Sequence, residues 1–461
     1  MSPKRNAKYE AGLAEFRLKF LFQPRILRKI KPTFIILLSF LALVLIGSLL
    51  LFLPISSTSG HLSYINCLFL ATSAVCVTGL SPITLATDLT VFGKVVMGVL
   101  IQMGGLGLVT VISFVLILIG QEFNVSYSAL VRESLNQDGI KGIRLIVRRI
   151  VTFTLFFELS GAIYFFIFFL NQGMEVGDAI GVGLFHAVSA FNNAGFDIIG
   201  DSSIQAFHDD IAFNLVTCFL IIAGGLGFLV HDDIFFTRNP RRYSLQTKIV
   251  LLVYFTLAAI SFGGVWGLSQ LGGTPLTALE AFTYSVNLRT AGFSNIDTTQ
   301  LSTANVIFSQ IFMFIGGNPL STAGGIKTTT IFIIIMALFN FIRGRNTVIA
   351  RRVVNQTTRL KAFLLFGFGV VAILIGSVLI GIFNPELGLN QITYEATSAF
   401  GTVGFSLNVT PQLRGGSKLV LCFLMYSGRV GPVSYLSLLS DNSLDIGQGK
   451  IDYLDANIMV G

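Results

Sequence analysis

Eight long apolar runs dominate the hydrophobic pattern of this chain, and each is long enough for a helix to cross a bilayer, which takes roughly 20 residues. Charged residues rarely interrupt these runs, and the strict apolar–polar alternation of a transmembrane barrel is not seen in the sequence. The pattern therefore predicts an all-α integral membrane protein with eight transmembrane helices. The runs lie near residues 33–54, 91–120, 147–170, 211–231, 249–270, 303–342, 362–383 and 417–439.

A shorter, half-polar stretch separates the two runs of each consecutive pair. Such a stretch is too short to cross the membrane but long enough for a re-entrant helix and a loop. We therefore expect four pseudo-symmetric units of helix, pore loop and helix around one pore. The half-polar stretches are 61–80, 178–197, 276–294 and 390–406, and the units are repeat 1 (33–120), repeat 2 (145–231), repeat 3 (246–342, with a broken last helix) and repeat 4 (361–440).

Internal repetition supports this organisation, because every half-polar stretch ends in a similar motif with Gly followed by Leu or Phe. The motifs are T-S-A-V-C-V-T-G-L (72–80), V-S-A-F-N-N-A-G-F (188–196), Y-S-V-N-L-R-T-A-G-F (284–293) and T-S-A-F-G-T-V-G-F (397–405). A second small-residue cluster follows each motif, at 104–107, 224–227, 316–317 and 427–431. The glycine motif and the cluster that follows it recur together four times, which favours a true fourfold repeat over a chance similarity.

Composition and charge agree with a membrane protein whose orientation is set by its basic residues. The 461 residues are 53% hydrophobic and only 12% charged, whereas about a quarter of the residues in a soluble domain are charged. The net charge is +8, and the basic residues cluster in 1–31, 141–149, 238–248 and 343–361. We therefore expect a protein of the cell membrane. The positive-inside rule predicts that its N-terminal tail (1–32) and its C-terminal tail (441–461) both lie in the cytoplasm.

Four re-entrant loops around one axis can ring it with backbone carbonyls, which replace the hydration shell of a cation. Glycine suits that position because it adopts positive φ freely and places no side chain in the lumen. The alternative is that each glycine only ends a short helix, as glycines often do. Four similar copies on the outer side of re-entrant segments favour the ring.

The motif ends V-T-G-L, N-A-G-F, T-A-G-F and T-V-G-F resemble the degenerate filters of the Trk/Ktr/HKT superfamily of potassium transporters. The resemblance extends from about residue 33 to 440 and is strongest to the membrane subunits of bacterial Ktr uptake systems. Repeats 3 and 4 carry Thr290 and Thr402 two positions before the glycine, whereas repeats 1 and 2 carry Val77 and Asn193 there. The side chains next to the glycines therefore differ between repeats. The K⁺-binding filter residues that the resemblance implies are Val77, Thr78, Gly79, Asn193, Ala194, Gly195, Thr290, Ala291, Gly292, Thr402, Val403 and Gly404.

The same resemblance implies potassium uptake through a single pore per chain, assembly as a homodimer, and gating by a cytosolic ring of RCK-type regulatory subunits. A nucleotide, ATP/ADP or NAD(H), is then expected on the partner, and no cofactor on this chain. Na⁺ is expected either as an activator or as a coupled ion.

The last apolar run of repeat 3 is interrupted by G-G-N-P-L-S-T-A-G-G-I-K. Proline and four glycines weaken a helix, so the freed backbone groups need a wet or protein-lined cavity. We interpret this interruption, together with Arg429 of the last run, as a gate that obstructs the pore below the filter; a kinked, packed span is the alternative. The gate residues are Gly316, Gly317, Asn318, Pro319, Ser321, Thr322, Gly324, Gly325, Lys327 and Arg429, although Lys327 can equally snorkel towards the cytoplasm.

Several other charged residues receive supporting roles. Arg289 is expected to stabilise the third loop with Glu280 or Asp297 as its partner, and Glu395 to support the fourth loop. Carboxylates that follow the filters attract cations to the outer mouth. These are Asp88, Asp197 and Asp297.

An enzyme is not expected, because the four histidines are scattered and no nucleophile or paired-carboxylate pattern occurs in the sequence. The competing function is a secondary transporter for a small organic solute, which would bind substrate at the broken span. Such carriers usually contain two inverted halves, whereas this chain predicts four parallel units.

Overall fold

The computed structural model describes residues 32–120, 128, 130, 131, 143–200, 203–350 and 352–431. The two predicted cytoplasmic tails, the first part of the 141–149 basic cluster and the end of repeat 4 therefore lie outside the described residues.

The described chain is almost entirely helical, with a single two-residue hairpin. In chain order its elements are α1 (Pro32–Phe52), α2 (Tyr64–Val75), α3 (Leu85–Asp88), α4 (Val91–Leu106), α5 (Leu108–Leu118), α6 (Ile143–Asn171), α7 (Val176–Phe191), α8 (Ile211–Leu226), α9 (Phe228–Asp232), α10 (Leu245–Leu271), α11 (Ala278–Asn287), α12 (Thr303–Phe314), α13 (Thr328–Ile342), β1 (Val348–Ile349), β2 (Arg352–Val353), α14 (Gln356–Phe383), α15 (Leu389–Gly401) and α16 (Gly415–Val430).

Membrane-spanning character is concentrated in four helices. Among the described residues, α1, α6, α10 and α14 are long and apolar enough to cross a bilayer, and two bent helix pairs raise the number to six. Large apolar side chains remain exposed along these helices, as expected for surfaces in contact with lipid.

A short helix follows each of the four long ones, in the half-polar stretches of the sequence. N-cap side chains start two of these helices: the Ser63 hydroxyl accepts a hydrogen bond from the backbone N–H of Asn66, and Thr277 and Glu280 form a reciprocal capping box. The C-terminal ends of these short helices are buried, and a loop follows each of them. They are α2, α7, α11 and α15.

Two of the predicted spans are sharply bent, which corrects the prediction of continuous helices over 91–120 and 211–231. Helices α4 and α5 meet at 92°, and the helix that follows α8 turns away at 99°. The bends lie at Gly107 and Gly227, whose φ angles of +80° and +94° glycine adopts at little cost. A sixteen-residue α4 is about 24 Å long at 1.5 Å per residue, so it ends short of a full bilayer crossing.

Candidate functional site

Four loops meet at the buried ends of the short helices, and we number them L1 (76–80), L2 (192–196), L3 (289–293) and L4 (401–405). Each loop has positive φ at the same two positions, the glycine and the residue two places before it. Four segments far apart in the chain thus share one unusual backbone conformation. The pairs are Val77 (+56°) and Gly79 (+97°), Asn193 (+58°) and Gly195 (+69°), Thr290 (+69°) and Gly292 (+68°), and Thr402 (+51°) and Gly404 (+100°).

The four loops contact one another in a closed cyclic order. A methyl group built on any of the four glycines would approach, to less than 3.0 Å, the carbonyl oxygen that precedes the glycine of the next loop. The last contact returns from L4 to L1, so the loops form a ring. These contacts join Gly79 to Ala194, Gly195 to Ala291, Gly292 to Val403 and Gly404 to Thr78.

Serine side chains fix the loop conformation against the short helices. In L1 the backbone N–H of Thr78 donates to the Ser73 carbonyl at 2.8 Å, and that of Gly79 donates to the Ser73 hydroxyl at 3.2 Å. Ser398 holds L4 in the same way, at 2.9 Å and 3.1 Å. The sequence motif contains both serines, but their role follows only from the structure.

In L3 an asparagine performs this function. The N–H of Gly292 donates to the Asn287 carbonyl at 3.2 Å, and the N–H of Phe293 donates to its side-chain oxygen at 3.0 Å. Sequence reasoning missed Asn287, although the extra residue in the third motif signalled that its supporting contacts would be displaced by one position.

Three threonine hydroxyls in the ring are buried and have no hydrogen-bond partner among the described residues. Buried hydroxyls normally find a partner, so these oxygens are available to a ligand that the loops enclose. Asn193 differs, because its side-chain nitrogen donates to the Ile221 carbonyl at 3.3 Å. The three hydroxyls are those of Thr78, Thr290 and Thr402.

An open cavity of about 230 Å³ lies on one side of the ring and is lined by all four glycines. Asp197 and Asp297 also line it, as predicted for outer-mouth carboxylates. Asp88 has a different role, since its side chain accepts a hydrogen bond from the N–H of Thr84 at 3.1 Å.

Buried charges behind the loops contact the loops and their neighbouring helices. Glu395 supports the chain after L4 by accepting hydrogen bonds from the side-chain hydroxyls of Ser406 and, at 3.0 Å, Thr410. Arg289 is only 2% exposed, but the prediction of Glu280 or Asp297 as its partner is wrong. Its guanidinium donates to the Tyr254 carbonyl at 2.8 Å and lies 3.8 Å from the centroid of the Tyr254 ring.

The segment 316–327, which separates α12 from α13, packs against the ring on the side away from the open cavity. Its backbone bonds to the glycine pair that ends α8: the N–H of Asn318 donates to Gly225 and that of Thr322 to Gly224, both at 3.3 Å. It also reaches α16, where the N–H of Gly325 donates to Gly428 at 3.2 Å.

This segment touches two loops that are not neighbours in the ring. The Thr322 hydroxyl donates to the Asn193 side chain of L2 at 2.9 Å, and Gly324 lies directly against the Thr402 side chain of L4. L2 and L4 are opposite each other in the cyclic order, so the segment bridges two opposite sides of the ring.

Arg429 links this segment to the rest of the molecule by hydrogen bonds to backbone carbonyls. It donates to the carbonyl of Thr322 and to those of Gly104, at 2.5 Å, and Gly105, at 2.9 Å. Lys327 does not extend outward but donates to the Ala323 carbonyl within the segment at 2.7 Å.

The Gly-Gly clusters both allow close helix packing and supply hydrogen-bond acceptors. Packing is present, because a methyl group on Gly224 would collide with the Phe191 carbonyl and one on Gly428 with that of Phe400. In addition, the carbonyls of these clusters accept the hydrogen bonds that hold segment 316–327 and Arg429 in place.

Comparison with known proteins identifies the group to which this architecture is similar. Residues 18–445 match the family model described as "TrkH: Cation transport protein". The chain is 34% identical over 439 residues to the Ktr system potassium uptake protein B of Bacillus subtilis, covering 93% of this chain and 97% of that protein. It is 35% identical over 460 residues to the potassium/sodium uptake protein NtpJ of Enterococcus hirae, covering 96% and 100%.

The fold is similar to that of a solved structure. The potassium transporter TrkH from Vibrio parahaemolyticus superposes with a TM-score of 0.70, covering 90% of this chain and 86% of that one. At 19% identity this likeness supports the arrangement of helices and not the identity of individual side chains.

Proposed function

Since this chain belongs to the TrkH family of cation transport proteins, we propose that it selects K⁺ in the ring of loops L1–L4 during potassium uptake. The single observation that carries the proposal is the closed cyclic contact of four glycine loops with matching backbone conformation. Backbone carbonyls arranged around one axis replace the water of a K⁺ ion. The unpartnered hydroxyls of Thr290 and Thr402 supply further oxygen ligands next to the ring.

The complete architecture that we propose has eight membrane crossings in four parallel units, with both termini in the cytoplasm. The bent pair α4–α5, α8 with its continuation, the broken pair α12–α13 and the short α16 then each count as one crossing. The recurring order of long helix, short helix, loop and bent or interrupted helix supports this count.

Segment 316–327 and Arg429 form the gate in this proposal. The segment crosses the axis between L2 and L4, and Arg429 adds a positive charge on the same side of the ring. An ion that leaves the ring must pass both obstructions. Because the hydrogen bonds that hold the segment come largely from α8 and α16, a rearrangement of these helices would move the segment.

Regulation by a partner and by sodium completes the proposal. Two relatives are named as Ktr system uptake proteins and a third as a potassium/sodium uptake protein. We infer that this chain forms a homodimer on a ring of RCK-type cytosolic subunits, which bind the nucleotide, and that Na⁺ activates uptake. A carrier of organic solutes is disfavoured, because these relatives are named for potassium uptake.

Flux measurements on protein reconstituted in liposomes test this function. Uptake of K⁺ is expected to exceed uptake of Na⁺, to increase when Na⁺ is added to a K⁺ solution, and to respond to nucleotide only when the regulatory subunit is present. An isolated monomer that transports at its full, nucleotide-insensitive rate would contradict the regulatory part. Equal uptake of both ions would contradict the selective ring.

Acidification of the outer solution should weaken K⁺ uptake through Asp197. Burial raises the pKa of Asp197 to about 6, whereas the hydroxyl of Thr299 holds the pKa of Asp297 below its usual range. Asp197 therefore loses its charge as the pH falls through 6, while Asp297 keeps its charge. Loss of one nearby charge should raise KM for K⁺ by about threefold between pH 7.5 and pH 5.5.

The matched variants are Asp197→Asn and Asp209→Asn. Asp197→Asn should have, at every pH, the raised KM that the wild type reaches only below pH 6, and it should therefore lose the step near pH 6. Asp209 lies in the same connection but is exposed and paired with His208 at 3.1 Å, so Asp209→Asn should keep the step. A pH step of unchanged size in Asp197→Asn would show that another group carries it.

A further inference from the structure

A buried carboxyl that the sequence analysis did not single out lies behind loop L2. Glu158 is in the middle of α6 and is 4% exposed. Its side chain accepts hydrogen bonds from two amide groups, from Asn192 at 2.9 Å and from Gln102 of α4 at 3.1 Å. Carboxylates in membrane-spanning helices are costly and are therefore usually functional.

Asn192 connects this carboxyl to the ring. Its side-chain nitrogen also donates to the Gln102 side-chain oxygen at 2.8 Å, so the three side chains close a triangle of hydrogen bonds. The next residue is Asn193, whose positive φ of 58° begins the unusual conformation of L2. Whatever orients Asn192 therefore constrains the start of the loop.

The corresponding position of L3 is supported in a similar manner. Arg289 stands three residues before its glycine, as Asn192 does, and it too reaches back to the first long helix of its own unit, where it bonds Tyr254. L2 and L3 are thus each held by a polar contact to the long helix of their own unit. In L4 the same position is Gly401, whose α-carbon packs directly against the Met313 carbonyl.

The triangle also touches the gate. The Asn192 side-chain oxygen lies directly against Gly105, at a distance that a methyl group on this glycine could not tolerate. The carbonyl of Gly105 in turn accepts a hydrogen bond from Arg429 at 2.9 Å. A displaced Asn192 would therefore shift both the loop and one of the contacts that hold Arg429.

We propose that Glu158 is a positioning residue that sets the geometry of L2 through Asn192 and Gln102. The proposal rests on the proposed function of the ring as the K⁺ filter. The carboxyl acts by accepting hydrogen bonds, and the ion does not contact it. Loss of these bonds leaves the loop in place but lets Asn193 and Gly195 relax away from the geometry that fits K⁺.

The test measures KM, maximal rate and K⁺ over Na⁺ preference for Glu158→Ala, Glu158→Gln, Asn192→Ala and the double Ala variant, reconstituted in liposomes. Glu158→Ala should lower the ion preference and raise KM by about fivefold, the effect of one lost net hydrogen bond, with a smaller change in maximal rate. Glu158→Gln should also lower the ion preference, because its single side-chain oxygen can accept from Asn192 or from Gln102, and its amide nitrogen then faces the other donor. The double variant should be no worse than the more damaging single variant, because Glu158 acts through Asn192.

Asp178→Ala is the matched control, since Asp178 is a carboxylate on α7 that is exposed; it should leave all three quantities unchanged. Wild-type selectivity and KM in folded Glu158→Ala or Glu158→Gln, or additive effects in the double variant, would each overturn the proposal. If Glu158→Ala fails to fold, Gln102→Ala and its double variant with Asn192→Ala replace it in the same cycle, with the same expected and contradicting outcomes.

Gly404→Ser separates failure of this proposal from failure of the filter. Gly404 lies in L4, opposite L2 in the ring. If Gly404→Ser alters the ion preference and Glu158→Ala does not, only the role of Glu158 is wrong. If neither changes it, the Gly→Ser variants of the other three loops decide whether the ring is the filter.

Discussion

Replacing Gly292 or Gly404 by Ser is expected to reduce the preference for K⁺ over Na⁺ by about tenfold or more, which corresponds to about 1.4 kcal/mol of lost discrimination. Both glycines have positive φ, at 68° and 100°. A side chain there would also collide with the carbonyl of the neighbouring loop, Val403 for Gly292 and Thr78 for Gly404. The ring must then widen, and a wider ring replaces the hydration shell of K⁺ less well.

Gly173→Ser is the matched control for this substitution. Gly173 has a comparable φ of 83°, but a methyl group there meets nothing within 4 Å. The Gly173→Ser variant therefore has similar backbone strain at the substituted residue but no collision between loops. Its preference for K⁺ over Na⁺ should equal that of the wild type. Competitive uptake of K⁺ and Na⁺ in liposomes provides the measurement. The filter assignment is wrong if Gly→Ser variants at all four ring positions retain the wild-type preference.

Arg429→Ala, or deletion of Gly317–Gly324, is expected to increase resting K⁺ flux by an order of magnitude. Two unit charges about 8 Å apart repel by about 2 kcal/mol at an effective dielectric constant of about 20. Removing that repulsion, or the segment that crosses the axis, lowers the barrier to the ion by a comparable amount. Selectivity should change little in Arg429→Ala, because the hydrogen-bond partners of Arg429 lie outside the four loops.

Arg414→Ala serves as the control for Arg429→Ala. Arg414 precedes the same helix, α16, but forms an exposed ion pair with Glu386 at 3.3 Å. Exposed ion pairs contribute little to stability, so the K⁺ flux of Arg414→Ala should equal that of the wild type. Unidirectional K⁺ efflux from loaded liposomes without the regulatory subunit measures the resting rate. If folded Arg429→Ala and the deletion both abolish flux, the segment belongs to the conduction path and is not a gate.

Much of the ring was predictable because its signal is repeated along the chain. Four similar motifs identify the loops and their glycines before any contact is known. The composition of segment 316–327 likewise predicts an interruption of the helix, since Pro319 and the glycines cannot form a regular span. These features are local in sequence, and local patterns are what sequence reasoning detects.

The remaining features depend on contacts between distant residues. Arg429 bonds to Gly104, which is 325 residues away, and neither side of that contact carries a sequence pattern for it. The partner of Arg289 was predicted wrongly because nearby carboxylates were considered, whereas the actual contact is a tyrosine carbonyl and ring on another helix. The bends at Gly107 and Gly227 escaped prediction because a bent helix and a straight one have the same hydropathy.

One polypeptide supplies every wall of the ring, from L1 round to L4 and back to L1. In a channel built from four identical subunits, a single codon change alters all four walls at once. In this chain a single codon change alters one of the four loops and leaves the other three unchanged. If the ring is the proposed filter, one mutation can therefore reduce the preference for K⁺ over Na⁺ in part. Asn193 of L2, where L3 and L4 carry Thr290 and Thr402, is such a one-wall difference already present in the gene.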